Sequence, residues 1–133
     1  MMNLDPITWT RIALSGYLLT ISIETPVLVL LLGKRYSLKE KLFAGVFLTG
    51  CSYPFVSVFF PMIWDPYTDY RTYVTVSEIF APLSECIIFA LLFQRRKELS
   101  ARQRASDLAV VVAANLLSYL AGELMKACGF HFA

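Results

Sequence analysis

Hydrophobic residues fall into four long runs, at about 9–32, 42–64, 73–93 and 105–127, separated by three short polar stretches. Each run has the roughly 20 residues that an α-helix needs to cross about 30 Å of hydrocarbon. Period-two alternation is absent, which argues against a β-barrel. A backbone in lipid must satisfy its own hydrogen bonds, and helices do so within each segment. The pattern therefore predicts an all-α polytopic membrane protein. Residues 1–133 form a single domain, a four-helix transmembrane bundle whose short loops make successive helices antiparallel neighbours.

Composition agrees. The chain is 57% hydrophobic and 17% charged, against about 45–50% apolar residues in a soluble domain. At 133 residues there is room for one compact domain. The net charge of +2 decides little, but its distribution decides more. Lys34, Arg35, Lys39 and Lys41 lie in the first polar stretch; Arg95, Arg96, Lys97, Arg102 and Arg104 lie in the third. The second stretch, 65–72, sets Asp65 and Asp69 against Arg71. The positive-inside rule then places loops 34–41 and 94–104 in the cytoplasm and both termini outside, an N-out/C-out topology. Trp9, Trp64, Tyr67, Tyr70 and Tyr73 would gather at the outer interface, where amphipathic rings are favoured. Basic clusters flanked by membrane-length runs read as loop anchors rather than as a nucleic-acid surface. The first run is too long for a cleaved signal peptide and has no basic region before it. Together with the small size, this favours a bacterial inner membrane.

Two carboxylates stand out inside the apolar runs. Glu24 and Glu85 each precede a basic pair by ten positions, Lys34-Arg35 and Arg95-Arg96. An ionisable residue within a span is costly and marks a functional site. At 1.5 Å per residue, both lie about 13–14 Å from the cytoplasmic helix ends. Thr49 and Ser52 on the second helix and Asn115 on the fourth fall at about 10–15 Å, a similar depth. No basic side chain shares that level, since Arg11 and Lys126 belong near the outer surface. An unpaired carboxylate in a low dielectric holds a proton or a cation. Glu24, Glu85, Asn115, Ser52 and Thr25 form a candidate oxygen-rich ligand set. It suits a hard divalent cation such as Mg2+, Ca2+ or Mn2+, or a proton shared by the two carboxyls. Glu78 and Glu123, nearer the outer end, are candidates for an outer vestibule.

Other features read as structure. Pro26, Pro54 and Pro82 interrupt the first three helices and free the carbonyls of Ser22, Gly50 and Glu78, potential cation ligands. Ala114, Ser118 and Gly122 form a small-residue stripe for close packing, with Gly45 and Thr49 a shorter one. Asp107, with Ser106, reads as a cap near the start of the fourth helix. A shift of 61 residues superposes Glu24 on Glu85; a two-residue insertion would then bring Ser52 onto Asn115. Cys51 and Cys86 read as packing residues and Cys128 as a free thiol.

No catalytic residue is predicted. The sole histidine is His131, and HExxH, GxSxG and P-loop patterns are absent. The reading favoured is proton- or ion-linked transport at the central glutamates, with the lipid bilayer and a possible homo-oligomer as partners. One alternative is an accessory or assembly subunit whose polar residues bind partner membrane helices. A weaker one is an intramembrane enzyme acting on a lipid-like substrate.

Overall fold

The structure is a computed structural model that describes residues 6–129; His131 lies outside them. Four helices follow the apolar runs: α1 (Pro6–Leu31), α2 (Leu38–Ile63), α3 (Tyr70–Gln94) and α4 (Ala101–Ala127). All four are long and apolar enough to cross a membrane. α1 packs on α2 and α4, and α3 packs on the same two, so α1 and α3 lie diagonally across the bundle. One end carries the two basic loops, before α2 and before α4. The other carries the 64–69 loop and its aromatic residues. We call these the basic and aromatic ends.

α2 and α4 start earlier than hydrophobicity alone predicts because capping, not apolarity, sets their first turns. At α2, Glu40 N–H donates to Ser37 Oγ at 3.2 Å and Ser37 N–H donates to Glu40 Oε2 at 2.7 Å. At α4, Gln103 N–H donates to Ser100 Oγ at 3.2 Å and Ser100 N–H donates to Gln103 Oε1 at 2.9 Å. Both are reciprocal capping boxes. The second corrects the reading of Asp107 as a cap residue, because it starts α4 upstream and carries Asp107 well into the helix. Asp107 is 1% exposed. Arg35 pairs with it through two guanidinium nitrogens, and Tyr36 Oη donates to it at 2.7 Å. The carboxylate holds the Arg35 guanidinium above its usual range, and burial pushes the Tyr36 phenol up so that it stays a donor.

The basic residues divide by role. Lys41 donates to the carbonyls of Val29 and Leu32, at 3.1 and 2.6 Å, and so closes the end of α1. Lys97 bridges Glu40 at 3.0 Å and donates to the Arg35 carbonyl at 2.9 Å. Arg104 donates to the carbonyls of Gln94 and Lys97. Lys34, Lys39, Arg95, Arg96 and Arg102 remain exposed.

The interior is turned inside out relative to a soluble protein. Glu24, Thr49, Ser52, Ser77, Glu85, Gln94, Asp107 and Asn115 are buried, whereas Leu14, Leu30, Phe47, Phe59, Leu83, Leu91 and Leu116 are exposed. The main apolar cluster lies in the basic half, while Phe60 is buried separately toward the aromatic end. In the cluster, Leu28, Leu32, Leu48, Phe89, Phe93 and Val111 pack together with Tyr36, Ala44 and Ala114.

Close approach of α1 and α2 depends on Gly45. A Cβ there would lie 2.8 Å from the Thr25 Cα, a backbone atom that cannot swing away. Gly45→Ala is therefore expected to destabilise the fold by about 1–3 kcal/mol, the usual cost of overpacking, read as a lower melting temperature in detergent. The prolines mostly face outward. Pro26 and Pro54 are exposed, as are Ser22 and Gly50, so those freed carbonyls stand away from the interior. Pro54 has no N–H to continue the ladder, and a π-type turn follows it at Phe55–Phe59.

Candidate functional site

Glu24 and Glu85 are each 2% exposed and face the centre of the bundle. Thr49 Oγ1 donates to Glu24 Oε2 at 2.6 Å, and Ser118 Oγ donates to Glu24 Oε1 at 2.8 Å. Ser52 Oγ donates to Glu85 Oε1 at 2.5 Å, and Asn115 Nδ2 donates to Glu85 Oε2 at 2.7 Å. Each diagonal helix thus supplies one carboxyl, and α2 and α4 each supply one neutral partner to both.

Every hydroxyl of the cluster has a second acceptor. Thr49 Oγ1 lies 3.0 Å from the Gly45 carbonyl, Ser52 Oγ 3.4 Å from the Thr49 carbonyl, and Ser118 Oγ 2.8 Å from the Asn115 carbonyl. A hydroxyl has one proton to give and lone pairs to receive. With a charged carboxylate, it donates to the carboxylate. With a protonated carboxyl, it accepts from that group and donates to its own backbone. Asn115 meanwhile splits its amide between Glu85 and the Val111 carbonyl, 3.1 Å away. The cluster can hold or release a proton with its polar groups still paired and no helix displaced.

The ligand set read from the sequence is met in part. Glu24, Glu85, Ser52 and Asn115 come together. Thr25 does not join them: its Oγ1 is buried without a hydrogen-bond partner among the described residues and its side chain packs at Gly45. Its neighbour in sequence already occupies the inward position, and one residue turns a helix by about 100°, enough to aim Thr25 at α2. Each carboxyl has its own pair of donors, Thr49 and Ser118 for Glu24, and Ser52 and Asn115 for Glu85. The small-residue stripe also has more than one role, because Ser118 is a partner of Glu24 and Gly122 meets no heavy atom within 4 Å of a Cβ position.

Sequence reading placed Thr49 at the right depth but outside the ligand set, and took Ser118 for packing. The signal for both was the polar pair at i, i+3 on each even helix: Thr49 with Ser52, Asn115 with Ser118. These pairs also correct the internal alignment. Glu24, Leu28 and Leu32 are buried in the same spacing as Glu85, Phe89 and Phe93. On the even helices the hydrogen bonds make Thr49 equivalent to Asn115, and Ser52 to Ser118, rather than Ser52 to Asn115. α4 has one more turn than α2 between its cap and the cluster.

Access to the cluster is one-sided. Glu24, Glu85 and their partners line a cavity of about 150 Å³. Thr20, Tyr53, Val56, Glu78, Ser118 and Tyr119 line both it and a cavity of about 940 Å³ in the aromatic half. Glu78 and Glu123, read from the sequence as a vestibule, both line the larger one. Toward the basic end, successive turns of α1 and α3 present Leu28 and Leu32, and Phe89 and Phe93, as an apolar plug. The Arg35–Asp107–Tyr36 contacts lie at that end of the plug.

Among the described residues no group of three Asp, Glu, His or Cys side chains converges as a metal site. The two carboxylates already accept from four neutral donors. No protein-family model, curated protein or solved structure matches this chain.

Proposed function

We propose that the chain is a small integral membrane protein that exchanges protons for a cation at Glu24 and Glu85. The basic end would face the cytoplasm and the aromatic end the outside. The five exposed basic side chains of the basic end, Lys34, Lys39, Arg95, Arg96 and Arg102, against Arg11, Arg71 and Lys126 at the aromatic end, support that orientation by the positive-inside rule. The exposed leucines and phenylalanines support a lipid-facing surface.

The observation that carries the function is the paired acceptor of each hydroxyl. A carboxylate buried for packing alone needs fixed donors in one state. Here Thr49, Ser52 and Ser118 each have two acceptors within reach, a carboxyl oxygen and a main-chain carbonyl. Loss of a proton from either glutamate leaves an anion in a low-dielectric interior, which attracts a cation. Cation in and proton out keeps the charge of the site constant. The cavity leads to the pair from the aromatic end, and release toward the basic end requires the apolar plug to part.

The accessory-subunit reading is less well served. It needs polar side chains left for partner helices, whereas Glu24, Glu85, Ser52 and Asn115 are satisfied within one chain.

The test is reconstitution of the full chain in liposomes carrying an internal pH dye. An imposed proton gradient should drive cation uptake, and an outward cation gradient should move protons the other way. Flux equal to that of empty liposomes in both directions, across monovalent, divalent and organic cations, would refute the proposal.

A further inference from the structure

Resting on that exchange reading, we propose that the cavity of the aromatic half binds a bulky apolar organic cation of the quaternary ammonium or phosphonium class. Three observations point to this ligand. The volume is about 940 Å³, within the range of about 300–1,000 Å³ that encloses drug-sized molecules; a bare metal ion needs far less. Rings of Trp9, Tyr53, Tyr70, Tyr73 and Tyr119 line it. Aromatic walls attract cations that carry no hydrogen-bond donor, through the ring quadrupole.

Charge is the third observation. Among the described residues that line the cavity, Glu78 and Glu123 stand against the cation Lys126. Lys126 is held by Glu123 at 2.7 Å, and Glu78 has no hydrogen bond or ion pair among the described residues. Glu78 stands where the large cavity meets the small one. A cation seated among the rings has Glu78 beside it and the exchanging glutamates below. Its entry displaces one proton from the Glu24–Glu85 pair into cavity water, so one positive charge replaces another.

The probes are tetraphenylphosphonium and tetraphenylborate, which share a shape and differ in sign. They are titrated calorimetrically into the full chain in detergent. Saturable binding is expected for the phosphonium and none for the borate. Glu78→Gln, nearly isosteric, should weaken phosphonium binding roughly tenfold. Gly122→Phe should block it, because Gly122 lines the cavity and faces open space; its melting curve should match that of the unsubstituted chain. Equal binding of both probes would show an apolar or lipid-filled cavity and overturn the proposal, as would phosphonium binding unchanged in both variants. The two readings fail separately. Phosphonium binding without proton release, with no release by any inorganic cation, would sink exchange at the glutamates and leave the cavity assignment standing. No phosphonium binding, with inorganic cation flux still dependent on Glu24 and Glu85, would sink the cavity assignment alone.

Discussion

Replacing both Glu24 and Glu85 by glutamine should reduce cation–proton exchange to the rate of empty liposomes while the protein still folds. Glutamine keeps the shape of the side chain but cannot gain or lose a proton near neutral pH. The fold should survive because the surrounding hydroxyls adapt. At position 24, the amide oxygen accepts from one of Thr49 and Ser118 and the amide nitrogen donates to the other. That second hydroxyl then donates to its own backbone carbonyl, 3.0 Å away for Thr49 and 2.8 Å for Ser118. At position 85, the oxygen faces the Asn115 amide and the nitrogen faces Ser52. Melting curves and gel-filtration profiles of the double variant should match those of the unsubstituted chain. Retained exchange would remove the glutamates from the mechanism. Alanine is the poorer test, since it leaves a cavity between the helices and costs stability for reasons unrelated to transport.

The largest loss of stability is expected from Asp107→Ala. The change leaves the Arg35 guanidinium and the Tyr36 hydroxyl without their shared acceptor at the basic end. Removing one partner of a buried pair costs about 3–5 kcal/mol. The lower end applies here, because the Arg35 side chain is 29% exposed and reaches water on its own. Asp107→Asn keeps an oxygen for Tyr36 and gives up the charge, so it should recover part of the loss. Thermal unfolding in one detergent should rank the unsubstituted chain above Asp107→Asn, and Asp107→Asn above Asp107→Ala. Equal melting of all three would mean that the contact holds nothing together.

Four helices and the depth of Glu24, Glu85, Ser52 and Asn115 were legible in the sequence, because run length and the 1.5 Å rise carry both. Azimuth was not. Thr25 shares the depth of Glu24 and faces another way, and Ser118 has the size of a packing residue and the chemistry of a partner. Direction around a helix depends on which neighbours it meets, and a single apolar run does not specify that. Asp107 escaped for a related reason. Its distance from Arg35 in the chain hides a contact made by the loop before α2 crossing to α4. The basic stretches carried an expectation of orientation, but gave no sign that Lys41, Lys97 and Arg104 would be spent on helix ends. The one-sided cavity arises from Gly122 and the aromatic half failing to pack, a property of side-chain volume around all four helices rather than of any motif.

Proton release on ligand addition reports the central claim most directly. Tetraphenylphosphonium and a set of inorganic cations are added in turn to the purified chain in weakly buffered detergent, and a pH indicator follows the solution. The account predicts a saturable release of protons by at least one of them, absent from the Glu24→Gln/Glu85→Gln variant. Release of the same size from that variant, or cation binding to the unsubstituted chain with no release, would contradict it.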